Sequence, residues 1–168
     1  AGSPDVTFTQ KSGHPEVEVY TSDNIIDLLD IKVKDNTLYI GFKKDVNVSY
    51  KKLEVRVSAE TLNGISVAGS GDIKGSGIKC NDMKVSVAGS GDINADNITC
   101  NNLKVSVAGS GDMVLRNVTA TGTEASVAGS GSATITGTTQ TATYSVAGSG
   151  DLLTEGYEAQ RVTASVAG

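Results

Sequence analysis

The sequence predicts an all-β protein, a right-handed parallel β-helix whose coils are about 20 residues long. Three observations carry that expectation. The hexapeptide Ser-Val-Ala-Gly-Ser-Gly starts at Ser66, Ser86, Ser106, Ser126 and Ser145, and its first four residues recur at Ser165–Gly168, giving spacings of 20, 20, 20, 19 and 20 residues. Between the copies, apolar and polar residues alternate with the period of a half-buried strand. No segment between them repeats at 3.6 residues, and a coil of this length has no room for a helix, a strand and two turns. Parallel crossovers are right-handed in nearly all cases, which sets the expected hand. The left-handed type carries an evenly spaced hexapeptide repeat inside each coil, and none is visible here.

The regular part is expected over residues 61–168, with the chain forming one continuous domain. In the second coil Ile78, Cys80, Met83, Val85, Val87 and Ile93 are apolar, and Lys79, Lys84, Ser86 and Asp92 stand between or beside them. The next coil repeats the pattern with Ile98, Cys100, Leu103, Val105, Val107 and Met113, and the one after with Val118, Ala120, Ala125 and Val127. Stacking in register brings each strand within about 4.8 Å of its copies and closes the apolar faces into an axial core. This alternation also separates the chain from Gly/Ser/Thr-rich disorder, which has no inward face to bury.

Residues 1–60 lack the hexapeptide and are expected to form irregular β strands that serve as first coils and cap. Alternation marks strands at Val6–Thr9, Val17–Tyr20, Ile31–Val33, Leu38–Ile40 and Leu53–Val57. Asp35-Asn36 between two of them is a tight-turn signal. Ser22-Asp23, ahead of Ile25–Leu29, is suited to cap one short helical turn.

Composition narrows the function. Of 168 residues only 4% are aromatic and none is Trp, while Gly numbers 20 and Pro 2, which suits thin aliphatic layers joined by many turns. The net charge of −5 and the absence of any basic run give no footprint for nucleic acid or anionic lipid. Nothing approaches the roughly 18 consecutive apolar residues of a transmembrane helix, and Ala1-Gly2-Ser3-Pro4 lacks the apolar stretch of a leader.

Gly-Ser-Gly-Asp recurs at Gly69–Asp72, Gly89–Asp92, Gly109–Asp112 and Gly148–Asp151, with Ser132 in place of the acid in the fourth copy. One reading is a carboxylate row, Asp72, Asp92, Asp112 and Asp151, that binds a ligand. The other is a turn whose glycines supply positive φ and whose Asp accepts N–H bonds from its own turn; the Ser132 exchange favours it. Lys84 and Lys104 align near Asp82 as a second weak ligand candidate. Cys80 and Cys100 hold equivalent places, with Ala120 in the next coil, so that position reads as small, inward and unbridged. With His14 as the single histidine, no metal site, cofactor site or nucleophile-base-acid set can be assembled.

Where Ser-Val-Ala-Gly-Ser-Gly-Asp-Ile at 66–73 and 86–93 follows Leu53-Glu54-Val55-Arg56-Val57, the chain resembles the auto-transporter adhesins with a head GIN domain, from about Asp5 to Gly168. The resemblance implies a β-helical fold and export to the periplasm, outer membrane surface or exterior of Gram-negative bacteria. It also implies an adhesive, non-catalytic role toward a protein or glycan, without assigning binding residues. Ser132, the 19-residue coil and the partial last motif depart from the pattern. Two alternatives are a β-helix carbohydrate-active enzyme, which needs long cleft-forming loops that these short coils lack, and a solenoid that self-assembles through edge or end contacts.

Overall fold

The structure, a computed structural model, describes residues 4–21, 24–44, 46, 50 and 52–168. It is nearly all β. The strands are β1 (Asp5–Gln10), β2 (Glu16–Thr21), β3 (Leu29–Lys34), β4 (Thr37–Phe42), β5 (Leu53–Ala59), β6 (Gly64–Val67) and β7 (Ile73–Lys79). They continue with β8 (Asp82–Val87), β9 (Ile93–Val107), β10 (Met113–Gly129), β11 (Ser132–Gly148), β12 (Asp151–Leu153) and β13 (Tyr157–Ala167). From β5 onward the coils stack in parallel to give a β-solenoid, with equivalent residues of the repeat opposite one another, as in Val87↔Val107 and Val107↔Val127.

Burial shows how one coil is folded. In β9 the buried residues are Ile93 and Ala95, then Ile98 and Cys100, then Leu103, Val105 and Val107. Within each group the step is two residues, as a strand demands, and between groups it is three. Each step of three is a corner at which the inward phase resets, so a coil has three short arms. β10 repeats this with Met113, Leu115, Val118, Ala120, Thr123, Ala125 and Val127. At the first corner Gly77, Asn97 and Asn117 have φ of 69°, 57° and 53°, a left-handed bend that Gly and Asn accept most readily. The Asn117 amide donates to the Asn97 side-chain oxygen at 3.3 Å, linking the corners along the axis.

The short coil loses its residue at that same corner. Leu115 lies opposite Ile135 and Val118 opposite Gly137, so Thr136 alone faces Arg116 and Asn117. The arms on either side keep their register. Most inward positions are aliphatic; the polar exceptions meet at Tyr157, whose hydroxyl lies 2.6 Å from Thr123 Oγ1, while the Thr123 hydroxyl also reaches Thr139 Oγ1 at 3.3 Å. Thr123 stands in the column of Met83 and Leu103, so the buried hydroxyls satisfy one another where the core turns polar.

The N-terminal strands are joined to this stack in an order the chain does not follow. β1 lies between β5 and β7 and is parallel to both, while β2 pairs with β5 antiparallel and occupies the outer edge. β3 and β4 form a separate hairpin whose two loop residues, Asp35 and Asn36, have φ of 50° and 57°, the type I′ signature. The helical turn is a 3₁₀ segment, Ile26–Leu28, with Ile25 at its N-cap and no side-chain cap bond; Ser22 and Asp23 lie outside the described residues. Ile25, Leu29 and Leu53 form a second small core there.

Candidate functional site

Two outward features bring the sequence-selected residues together. The first is the column Asp5, Asp72, Asp92, Asp112, Ser132 and Asp151. The Asp92 N–H donates to Asp72 Oδ1 at 3.0 Å, the Asp112 N–H to Asp92 Oδ1 at 2.8 Å, and the Ser132 N–H and hydroxyl to Asp112 Oδ1 at 2.9 and 2.8 Å. The Asp72 N–H donates to Asp5 Oδ1 at 3.2 Å. Asp5, Asp72, Asp92 and Asp112 thus each serve the next coil and not their own turn, which corrects the expectation from local sequence. The reason is a shortage of acceptors: the Gly69 carbonyl already takes the Ser90 and Gly91 N–H groups, at 2.9 and 3.0 Å, so the following N–H needs a side chain. Charge-assisted bonds of this kind offset the repulsion between stacked carboxylates.

The role of the motif's glycines also differs from the expectation. Gly69, Gly71, Gly89, Gly91, Gly109 and Gly111 do not have positive φ; Gly129 and Gly148 do. What Gly89, Gly91, Gly109 and Gly111 lack is space. A Cβ on Gly91 would overlap the Gly71 carbonyl oxygen and stand 2.9 Å from the Ser70 carbonyl carbon; on Gly111 it would overlap the Gly91 oxygen and stand 3.0 Å from Val87 Cγ1. The backbones of successive turns are in contact.

The second feature is a shallow, open groove of about 510 Å³ along the corner between the second and third arms. Asp82, Asn102, Gly122 and Thr141 form one column on its wall, and Lys84, Lys104 and Glu124 the neighbouring one, with Asn63 at one end. Met83, Leu103 and Thr123 line its floor. The Asn102 amide donates to Asp82 Oδ1 at 2.8 Å, and Lys104 Nζ pairs with Glu124 Oε2 at 3.2 Å. Lys84 and Lys104, selected from the sequence, therefore sit in one groove with Asp82, whereas Asp72, Asp92, Asp112 and Asp151 lie in the separate column. Sequence reasoning passed over Asn102, Gly122, Glu124 and Thr141; three follow Asp82 or Lys104 at the coil interval, and Thr141 follows Gly122 one residue early because of the shortened coil.

Cys80 and Cys100 are both free, the first half-buried and the second buried. Burial pushes the Cys100 thiol up to about 11, with the Cys80 and Asp82 charges adding to it, and raises Cys80 as well. Such thiols are poor nucleophiles and serve as packing. Among the described residues no cluster of three His, Cys, Asp or Glu has the geometry to hold a metal ion.

The model of the family described as "Putative auto-transporter adhesin, head GIN domain" matches residues 1–168. The chain belongs to this family. Solved structures similar to this adhesin-family chain include one described as a putative lipid binding protein from Parabacteroides distasonis, with a TM-score of 0.88 and 26% identity over 98% of this chain and 71% of that one. A putative adhesin from Bacteroides fragilis gives a TM-score of 0.65 at 24% identity, covering 96% of this chain and 88% of its own. A putative adhesin from Parabacteroides merdae gives 0.59 at 18%, covering 99% and 87%, and these last two likenesses speak for the fold alone. No curated protein matches the chain.

Proposed function

We propose that this adhesin-family chain is an exported, non-catalytic module. It works in the periplasm, at the outer membrane surface or outside the cell by holding a protein or glycan partner against its solenoid wall. The observation that supports this reading is the columnar order of the outward side chains. Lys84 stacks on Lys104, Asp82 on Asn102, and Ser66 on Ser86 with their hydroxyls 2.9 Å apart. A rigid wall with one chemical pattern repeated at each coil suits a partner that is itself repetitive, since many weak contacts can then be made in one register. The lipid role named for the Parabacteroides distasonis protein is not part of this reading, because the solenoid axis is filled by side chains such as Ile98, Leu103 and Val105, at 0%, 2% and 1% exposure.

The test is retention. Beads carrying the protein are scored on bacterial cells and on mucin-coated glass against beads carrying an unrelated β-solenoid, with reducing-end release measured in parallel. Retention above the control without release of sugar supports the proposal. Equal retention on every surface, or release of sugar, overturns it.

A further inference from the structure

We propose that the corner groove binds an extended, uncharged glycan laid along the solenoid axis. The proposal rests on the adhesive reading above and names its ligand class.

The backbone at the corner is already committed. The Asn101 and Asn102 N–H groups both donate to the Asn81 carbonyl at 2.9 Å, and the Lys84 N–H donates to the Asn63 carbonyl at 3.0 Å. A peptide therefore cannot add here as a further strand, and recognition falls to side chains. Those side chains offer donors and acceptors side by side: the Asp82 carboxylate with the Asn102 amide, and the Lys104 ammonium with the Glu124 carboxylate. A hydroxyl both donates and accepts, so a run of sugar hydroxyls meets such a wall without leaving a group unpaired. Asp82 and Glu124 balance Lys84 and Lys104, so the wall favours neither a polyanion nor a polycation.

The direction and length of the groove point the same way. From Asp82 through Asn102 and Gly122 to Thr141 the wall advances by three coil steps, about 14 Å at the spacing of paired strands. A β-linked chain of pyranose rings advances per ring by a length comparable to one coil step, so each ring meets one coil. Gly122 lies at the centre, where the fold does not need glycine: its φ is not positive, and a Cβ there would meet Thr141 Oγ1 at 3.5 Å and Asn102 Oδ1 at 3.6 Å, ordinary contacts. Glycine inside a strand weakens it and often marks a bulge, a tight bend, or a site where a ligand or another backbone approaches closely; at Gly122 no positive φ and no close backbone contact accounts for it. Here its effect is to keep the groove open.

Isothermal titration of the whole protein with neutral β-linked hexasaccharides of glucan, xylan, mannan and chitin, and with oligogalacturonate as the charged counterpart, tests the proposal. A neutral chain is expected to bind. Gly122→Leu should weaken it by at least about tenfold with the melting temperature held or raised, and Asn102→Ala should weaken it as well. Binding that ignores Gly122→Leu, a preference for oligogalacturonate, or silence from every neutral hexasaccharide overturns the proposal. If the beads are still retained in that case, the adhesive reading stands and only the groove assignment falls; if they are not, both fall.

Discussion

Gly111 and Gly122 sit eleven positions apart in neighbouring parts of the same coil, and a side chain added to each meets opposite conditions. At Gly111 a methyl group has no room, since the Gly91 backbone lies directly below it, with the Gly91 carbonyl carbon 3.0 Å from the Cβ position. Gly111→Ala must therefore push two turns apart, and overpacking of this kind against backbone should cost about 3 kcal/mol. That lowers the melting temperature by roughly 6 to 12 °C for a chain of this size. Gly122→Ala should leave it unchanged or raise it, because the methyl group fits and a glycine inside a strand is worth roughly 0.5 to 1 kcal/mol less than alanine. A thermal melt of both variants decides; equal losses would contradict the close approach of the turns. Cys100 allows a second test at this scale. Its thiol is raised from 9.0 to about 11 in the folded chain. The folded state thus holds its proton more tightly than the unfolded one, so this contribution is fully present below pH 9 and is lost as pH rises toward 11. Stability measured by urea unfolding should fall across that window, and less so in Cys100→Ala, which matches Ala120 of the next coil.

At the scale of the element, arms and corners differ in what they tolerate. The coil with Thr136 is natural evidence, since one residue is missing at its corner and the flanking pairs Leu115↔Ile135 and Val118↔Gly137 still hold. An alanine inserted after Thr136 should cost little. An alanine inserted between Leu103 and Lys104 turns Val105 and Val107 outward, because a slip of one residue inverts a strand, and should abolish the folded state. Circular dichroism of the two insertions tests this, and similar melting of both would refute the three-arm coil. The same contrast explains what was legible in the sequence. Alternation at Val85, Val87, Val105 and Val107 depends only on which side is buried, so the inward set and the coil interval could be read directly. Strand direction leaves no mark on alternation: Val17–Tyr20 and Leu53–Val57 look alike, yet β2 runs antiparallel to β5 and β1 inserts between β5 and β7 from a distant part of the chain. The Gly-Ser-Gly-Asp turn departs from its local reading for a related reason. Its glycines and aspartates act between coils, and local sequence favours explanations within a single turn. The groove shares this property, since Asp82 meets Asn102 only through stacking.

For the whole molecule, stability should depend on how many neighbours a coil has, since each coil of a solenoid touches only the coils beside it. One column makes the comparison at constant chemistry. Val67, Val87, Val107, Val127, Val146 and Val166 occupy the same place in successive copies of the motif and are paired in turn along the stack. Their surroundings are not equal: Val107 is 0% exposed between two coils, while Val166 is 77% exposed on β13, which pairs with β11 alone. Burying a valine contributes about 1.5 to 3 kcal/mol, and placing an unpaired carboxylate in its position adds a desolvation penalty of several kcal/mol more. Against a total stability of about 5 to 15 kcal/mol, Val107→Asp should unfold the centre of the stack. Val166→Asp, with the same side chains exchanged in the same motif, removes little buried surface and leaves its carboxylate in water, so it should cost under about 1 kcal/mol. The measurement is a pair of denaturant titrations, with Lys84→Ser as an exposed control that should match the parent. Equal destabilisation by the two valine variants would mean that the motif is stabilised within its own turn, and the account of the fold as a stack held together between coils would have to be abandoned.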